Sequence, residues 1–208
     1  MNAEATRLSL KNELLQRIGE LGLQQSIFPS TDETCDRLVQ QLENINPCDR
    51  PLSIDRLSTL AGDWELIYAS RGTVVTRRLV SLRGIGARVK IKRVWQTLVA
   101  SQTNQIFAAN CAEFDLPLLG EWRLQADGVW RWDREERDAK VSFGAFSVQA
   151  TKLLGISNWS LPALKIPVLQ SMRKEALWTT SYLDSQIRVG RGATGNLFVF
   201  RRQEAMFN

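Results

Sequence analysis

The tightest limit on what this chain can fold into comes from its last stretch, residues 179–202. Tyr182, Leu183, Ile187 and Val189 stand among polar residues there, and Leu197-Phe198-Val199-Phe200 is a run of β-formers. Between the two runs lies Gly190-Arg191-Gly192-Ala193-Thr194-Gly195-Asn196, a glycine-rich turn cluster. Two strand-like runs joined in this way predict a β-hairpin. Many short strand-like runs precede it, and closing the sheet on itself is the common way for such a chain to remove its edges. The hairpin is therefore expected to complete an antiparallel barrel.

The runs begin at Gly62. Asp63-Trp64-Glu65-Leu66-Ile67-Tyr68 alternates, placing Trp64, Leu66 and Tyr68 on one face of a half-buried strand. Further strands are expected over residues 74–82, 88–100, 105–114, 120–125, 129–133 and 141–149, with turns at Ala126-Asp127-Gly128 and Asp133-Arg134-Glu135-Glu136. Ahead of Gly62 the pattern is helical. Leu8, Leu14, Leu15, Ile18 and Leu21 fall near a period of about 3.6 residues over 6–22, with Gly19 and Gly22 weakening the end. Pro29 breaks the chain, and Ser30-Thr31-Asp32 offers caps to a second helix running to about Asn44. Such short amphipathic helices need a surface, so a helical hairpin either flanks or plugs the barrel or serves as a partner-binding module. The expected division is a helical region over 1–58, a barrel over 59–203 and a tail over 204–208.

Composition narrows the chemistry. The sequence holds no histidine, which removes the commonest general base, metal ligand and triad partner. Cys35, Cys48 and Cys111 are scattered, odd in number and form no CxxC pair, so neither a disulfide framework nor a zinc site is expected. No nucleophile elbow, phosphate loop or metal set appears, and no cofactor is expected. The acidic cluster Asp133, Glu135 and Glu136 sits among Arg131, Arg134 and Arg137 and reads as a solvated hairpin tip. The N-terminus lacks the apolar core of a secretory signal and the acid-poor look of a transit peptide. The chain is thus expected to be cytoplasmic or peripheral to a membrane.

Charge is unevenly spread. Residues 1–65 carry 6 Lys/Arg against 11 Asp/Glu, whereas residues 66–112 carry 8 Lys/Arg and no Asp/Glu. The belt Arg77, Arg78, Arg83, Arg88, Lys90, Lys92 and Arg93, with Trp95 beside it, suits an anionic partner. Anionic lipid headgroups fit it, at about 1 kcal/mol per basic residue near the surface. A nucleic-acid backbone is the rival, but no recognised motif accompanies the belt, and none is expected as partner. Residues 153–172 are apolar yet broken by Pro162 and Pro167, which bars a regular helix or a central strand. This segment reads as a lid, as packing on the barrel wall, or as a membrane contact through Trp159, Leu161, Leu164 and Ile166.

Two motifs carry a family resemblance. Leu60-Ala61-Gly62-Asp63-Trp64-Glu65-Leu66-Ile67-Tyr68-Ala69-Ser70 is similar to the opening motif of the plastid lipid-associated proteins, or fibrillins. Thr179-Thr180-Ser181-Tyr182-Leu183-Asp184, running through Ile187-Arg188-Val189-Gly190-Arg191-Gly192 to Gly195-Asn196-Leu197-Phe198-Val199, resembles their closing motif. Gly190 departs from a serine in that pattern. The resemblance implies a lipocalin-like barrel that binds a lipid, isoprenoid quinone or carotenoid without catalysis, peripheral to photosynthetic membranes or lipid bodies. The lack of a transit peptide fits a cyanobacterial-type member. Gly62-Asp63-Trp64 also resembles the first-strand signature of lipocalins, in which an arginine of the last strand lies across the tryptophan; Arg201 or Arg202 would supply it here.

A barrel of about eight strands can hold one small ligand. The expected lining is Trp64 at the floor with Tyr68, Trp95, Phe107, Phe114, Trp122, Trp130, Phe143, Phe146 and Trp178, each ring otherwise serving as plain core. Asp184 and Arg188 lie four apart, so on one strand they share a face. With Arg191 they form either a polar anchor for a ligand headgroup or an ion-pair cluster that fixes the hairpin. Two alternatives stay open: a structural membrane-surface protein with a filled barrel, and a lipocalin-like bilin lyase.

Overall fold

The computed structural model describes residues 2–28, 32–71, 89–101, 104–117, 119–133, 136–152, 162–167 and 175–203, with backbone alone for 165–167. The strands expected from the alternation form β1 (Gly62–Ala69), β2 (Lys90–Ala100), β3 (Gln105–Leu116), β4 (Gly120–Arg131), β5 (Asp138–Lys152), β6 (Leu164–Pro167), β7 (Ala176–Leu183), β8 (Ile187–Gly192) and β9 (Leu197–Arg202). All pairings are antiparallel, and, β6 apart, each strand pairs with its neighbours in the chain. β9 returns to β1, Trp64 opposite Arg202 and Leu66 opposite Phe200. The order β4-β3-β2-β1-β9-β8-β7-β5, with β5 pairing back to β4, closes an eight-stranded lipocalin-like ring.

The edge of β5 away from β4 is shared between two partners. Its first residues pair with β7, while Ala145 to Val148 pair with β6. β6 lies within the segment expected to be irregular. It is a four-residue edge strand with Pro167 at its end, where a missing N–H costs the ladder nothing. The turn expected at Ala126-Asp127-Gly128 is absent. β4 runs straight through, with a bulge against β5 between Asp127 and Gly128. Glycine is needed there for close approach: a Cβ on Gly128 would lie 3.0 Å from the Ser142 carbonyl and 3.3 Å from the Phe143 ring. The strand expected over 74–82 falls outside the described residues.

The helices flank the ring. α1 (Ala3–Ile27) starts at Asn2, whose Oδ1 accepts from the Glu4 N–H. It is longer than the sequence pattern indicated, because Gly22 kinks it at φ 69° instead of ending it. α2 (Glu33–Glu43) is capped by Asp32, which accepts from the Cys35 N–H and also pairs with Arg17 of α1 at 2.7 Å. Leu14, Ile18, Cys35, Leu38, Val39 and Leu42 pack on Ile67, Tyr68, Tyr182, Ile187, Val189, Leu197 and Val199, the outward residues of β1, β7, β8 and β9. Beyond the kink, Leu23, Ile27 and Phe28 join the other cluster, the one inside the ring, and the Gln24 amide donates to the Ile91 carbonyl. α3 (Leu57–Leu60) brings Leu57 and Leu60 against the opposite end of the same interior.

Candidate functional site

At the α3 end the barrel is sealed. Trp64, fully buried, donates from Nε1 to the Leu60 carbonyl at 2.8 Å. The Arg202 guanidinium lies 4.2 Å from its ring centroid. Nη1 and Nε of Arg202 donate to the carbonyls of Ala61 and Ser185 at 2.9 and 3.1 Å, and Nη2 donates to that of Thr59. Arg202 is thus the arginine across the floor tryptophan. Arg201, one residue earlier, faces outward and pairs with Glu65 at 2.7 Å.

Above this floor sits a second cation. Arg188 alternates with Ile187 and Val189, which face the helices, so its side chain enters the barrel. It is wholly buried. Its Nη2 donates to the Gln96 Oε1 at 2.6 Å, the Gln96 amide donates to Asn110 Oδ1 at 2.6 Å, and Asn110 donates to the Ala126 carbonyl at 3.4 Å. A row of polar side chains therefore runs from β8 across to β2 and β3 and ends on the backbone of β4. The guanidinium carbon lies 4.3, 5.2 and 5.6 Å from the ring centroids of Phe200, Trp64 and Trp130. Burial and the neighbouring charge of Arg202 push its pKa down to about 9, which leaves it a cation at neutral pH. Among the described residues Nε and Nη1 have no hydrogen-bond partner, and no carboxylate pairs with the group. Cation–π contacts return about 0.5–2 kcal/mol each. An unpaired buried cation costs several kcal/mol, and ring faces leave the in-plane N–H groups of Nε and Nη1 without an acceptor.

On one side of Arg188 aromatic rings meet. Trp178 lies 5.6 Å from Trp130, 5.4 Å from Phe198 and 6.2 Å from Phe200. It fits because it lies over Gly190, diagonal to it on β8, where a Cβ would stand 1.9 Å from the indole. These rings are core and leave that part of the interior full. Toward the other end the wall changes. Ala108, Ala112, Ala126 and Gly128 are small, and Asn110, Trp122, Leu124, Phe143, Phe146 and Val148 keep partial exposure. Phe114 is 9% exposed there, Gln96 5% and Arg188 0%. Along the inner faces of β2 to β5 buried and partly exposed residues are thus interspersed, and Asn110 of the polar row is among the partly exposed.

The other residues expected to line the barrel lie elsewhere. Tyr68 follows a bulge in β1 and points outward under α2, donating to Asp36 at 3.0 Å and accepting from the Asp32 N–H. Trp95 is next to the inward Gln96 and so faces out, held between Arg93 and Arg123 at 4.6 and 5.6 Å. Phe107 is 51% exposed, between the inward Ile106 and Ala108. With Val99, Ala109, Val129 and Gly144 it lines an open groove of about 540 Å³ on the outer wall. The trio Asp184, Arg188 and Arg191 does not assemble. Asp184 lies in the turn after β7, where it accepts from the Gln186 and Ile187 N–H groups and from Lys11 and Tyr182. Arg191, three positions from Arg188, is on the other face of β8 and pairs with Glu43 of α2 at 2.7 Å. Leu164 is exposed on β6, Ile166 is placed by its backbone alone, and Trp159 and Leu161 lie outside the described residues. Of the basic belt, Lys92 pairs with Glu121 and Arg93 reaches Gln203; Arg77, Arg78, Arg83 and Arg88 lie outside the described residues. Gln96 and Asn110 were not foreseen as site residues, since single neutral amides in alternating runs look like any outward polar position.

The family described as PAP_fibrillin matches residues 8–201, which takes in most of α1, the other helices and all of the ring but the last residue of β9. The chain belongs to the PAP_fibrillin family. Among curated proteins it is 27% identical to the "Light-induced protein, chloroplastic" of Solanum tuberosum and 26% identical to that of Solanum demissum. Each match covers 80% of this chain and 58% of the relative, so the chain spans somewhat over half the length of these proteins. No solved structure matches it. Within this PAP_fibrillin chain the closing motif builds the polar and aromatic interior at once. Arg188 enters the barrel, Gly190 clears space for Trp178, and Phe198 and Phe200 pack on that ring.

Proposed function

We propose that this barrel binds one hydrophobic or amphipathic small molecule, of the class of a lipid, isoprenoid quinone or carotenoid, without chemistry, at a membrane surface. One observation carries the reading. The interior is packed solid on the Trp64 and Trp178 side, but the inner faces of β3 to β5 around Asn110, Trp122, Leu124 and Phe146 are apolar, small-floored and still partly exposed. Such a wall needs a guest or water to cover it, and apolar rings favour the guest. Family membership supports a lipid-associated role. No described helix is long and apolar enough to cross a membrane, and the basic belt supplies the attraction for a peripheral one.

The test is twofold. Mass spectrometry of organic extracts of the natively purified protein should recover a stoichiometric lipid or isoprenoid. Titration with a long-chain quinone should quench tryptophan emission saturably, and Trp122→Phe should remove a large share of the quenching. Empty extracts together with linear, unsaturable quenching would leave only the filled-barrel reading. Flotation with anionic liposomes addresses the membrane role. Charge reversal at Arg77, Arg78, Arg83 and Arg88 should abolish it, and undiminished flotation would take the belt out of the proposal.

A further inference from the structure

Arg188 is the feature of this molecule that its own packing accounts for least. A cation that is 0% exposed sits in the middle of the barrel, with a single hydrogen bond to a neutral amide. The charge that acts on it is a second cation, Arg202. The described residues bring no carboxylate to it. Outside them the sequence holds only Glu135 and Glu204 as side-chain acids. Buried cations are ordinarily paired, because removing a charge from water is recovered only by an opposite charge and by hydrogen bonds that use its donors. Here Nε and both hydrogens of Nη1 await acceptors.

The position of the cation matters as much as its lack of a partner. Arg188 ends the polar row through Gln96 and Asn110, and Asn110 is the member of that row that keeps partial exposure. Small side chains surround Asn110: Ala108 and Ala112 flank it along β3 and Ala126 pairs with it on β4. Beyond Asn110 the wall is apolar, through Leu124, Phe146 and Trp122. We propose that the guest is a single-chain amphipathic acid whose anionic headgroup passes Asn110 and Gln96 to seat on Arg188, its hydrocarbon tail lying along the inner faces of β3 to β5. This rests on the barrel being a binder of small molecules, and it narrows the guest to an acid. The recognising chemistry is an oxyanion meeting a guanidinium in a dry site, where charge-assisted hydrogen bonds are strongest. A carboxylate and a phosphate monoester share that chemistry.

The experiment compares palmitate, methyl palmitate and hexadecyl phosphate on the full chain, by saturable change in tryptophan emission and by calorimetry. Wild-type protein should bind palmitate about 10- to 100-fold more tightly than the ester, the range of a hydrogen-bonded charge pair. Arg188→Met should bring the two within about threefold by weakening the acid alone, because an uncharged side chain gives the headgroup no pair. Arg188→Met removes an unpaired buried charge, so it should melt no lower than wild type, and Arg188→Lys should restore part of the preference. Preference for hexadecyl phosphate over palmitate supports the site and assigns its natural acid to the phosphates; the reverse assigns it to the carboxylates. Equal, saturable binding of palmitate and its ester to wild type overturns the headgroup site while leaving a neutral guest in the barrel. No saturable binding of any of the three, with empty native extracts, overturns both. The acid-to-ester ratio of the wild type decides the matter even where Arg188→Met does not fold, and a purely structural arginine would leave that ratio near one.

Discussion

At the scale of single residues, Gly190 carries the clearest consequence. Its backbone is ordinary strand, so conformational freedom is not the reason for glycine; the Trp178 indole occupies the volume a side chain would need. Gly190→Ala should force that ring away from Trp130 and Phe198 and cost about 1–3 kcal/mol in urea unfolding, as overpacked cores do. In a double-mutant cycle with Trp178→Leu the cost of the alanine should largely vanish, and full additivity would place the strain elsewhere. The cysteines give a second check. Burial pushes the Cys35 thiol up to about 12 and that of Cys111 up to about 11, so neither holds thiolate at neutral pH. Iodoacetamide should label both only at the rate at which the chain opens. Fast labelling of the native protein at either position would contradict their placement.

At the scale of elements, the turn between β7 and β8 clasps the first helix. Burial by itself would raise the pKa of Asp184, but the Ile187 and Gln186 N–H groups, the Lys11 ammonium and the Tyr182 hydroxyl together hold it below the usual range. A carboxylate whose folded pKa is depressed stabilises the fold above its unfolded pKa of about 3.9, and that contribution fades as pH falls through the lower folded value. Asp184→Asn should therefore cost about 1–3 kcal/mol at pH 7, and the gap to wild type should close progressively below about pH 4. A gap independent of pH would mean that the side chain acts through shape alone. Element identity was legible in the sequence because it rests on local pattern: the period of the helices, the alternation of β1, and the glycine cluster before β9. Facing was legible only where alternation ran unbroken. The bulge in β1 turned Tyr68 outward, and β4 ran through what looked like a turn, opposite a bulge in β5. Aromatic residues on either face of a strand look alike until one neighbour is known to be inside, so nothing local separates the outward Trp95 and Phe107 from true lining. The floor contact was readable as far as Arg201 or Arg202, through the resemblance of Gly62-Asp63-Trp64 to the lipocalin first strand, and the ring selects Arg202. The row from Arg188 to Asn110 was not, because it joins residues of separate strands through neutral amides.

At the scale of the whole molecule, the described helices cover one side of the ring. α1 and α2 lie over the outward residues of β1, β7, β8 and β9, whereas the outer wall of β2 to β5 bears Val99, Phe107 and Val129 around an open groove. Val99 and Val199 are both outward valines of ring strands. Val199 is 0% exposed beneath the helices and Val99 is 56% exposed on the bare wall. Val199→Ser should cost about 2–3 kcal/mol, the burial of a valine side chain plus the hydroxyl left in an apolar layer. Val99→Ser should stay within about 0.5 kcal/mol, as exposed substitutions do. Urea midpoints of the two variants against wild type, at several protein concentrations, test this directly. A large loss for Val99→Ser that grows with protein concentration would show the groove to be covered in solution by a second copy of the chain. A large loss independent of concentration would place part of the chain itself over the wall. Equal, small effects at both positions would instead mean that the helical pair is only loosely seated, and that the clasp through Lys11 and Asp184 holds less than its geometry indicates.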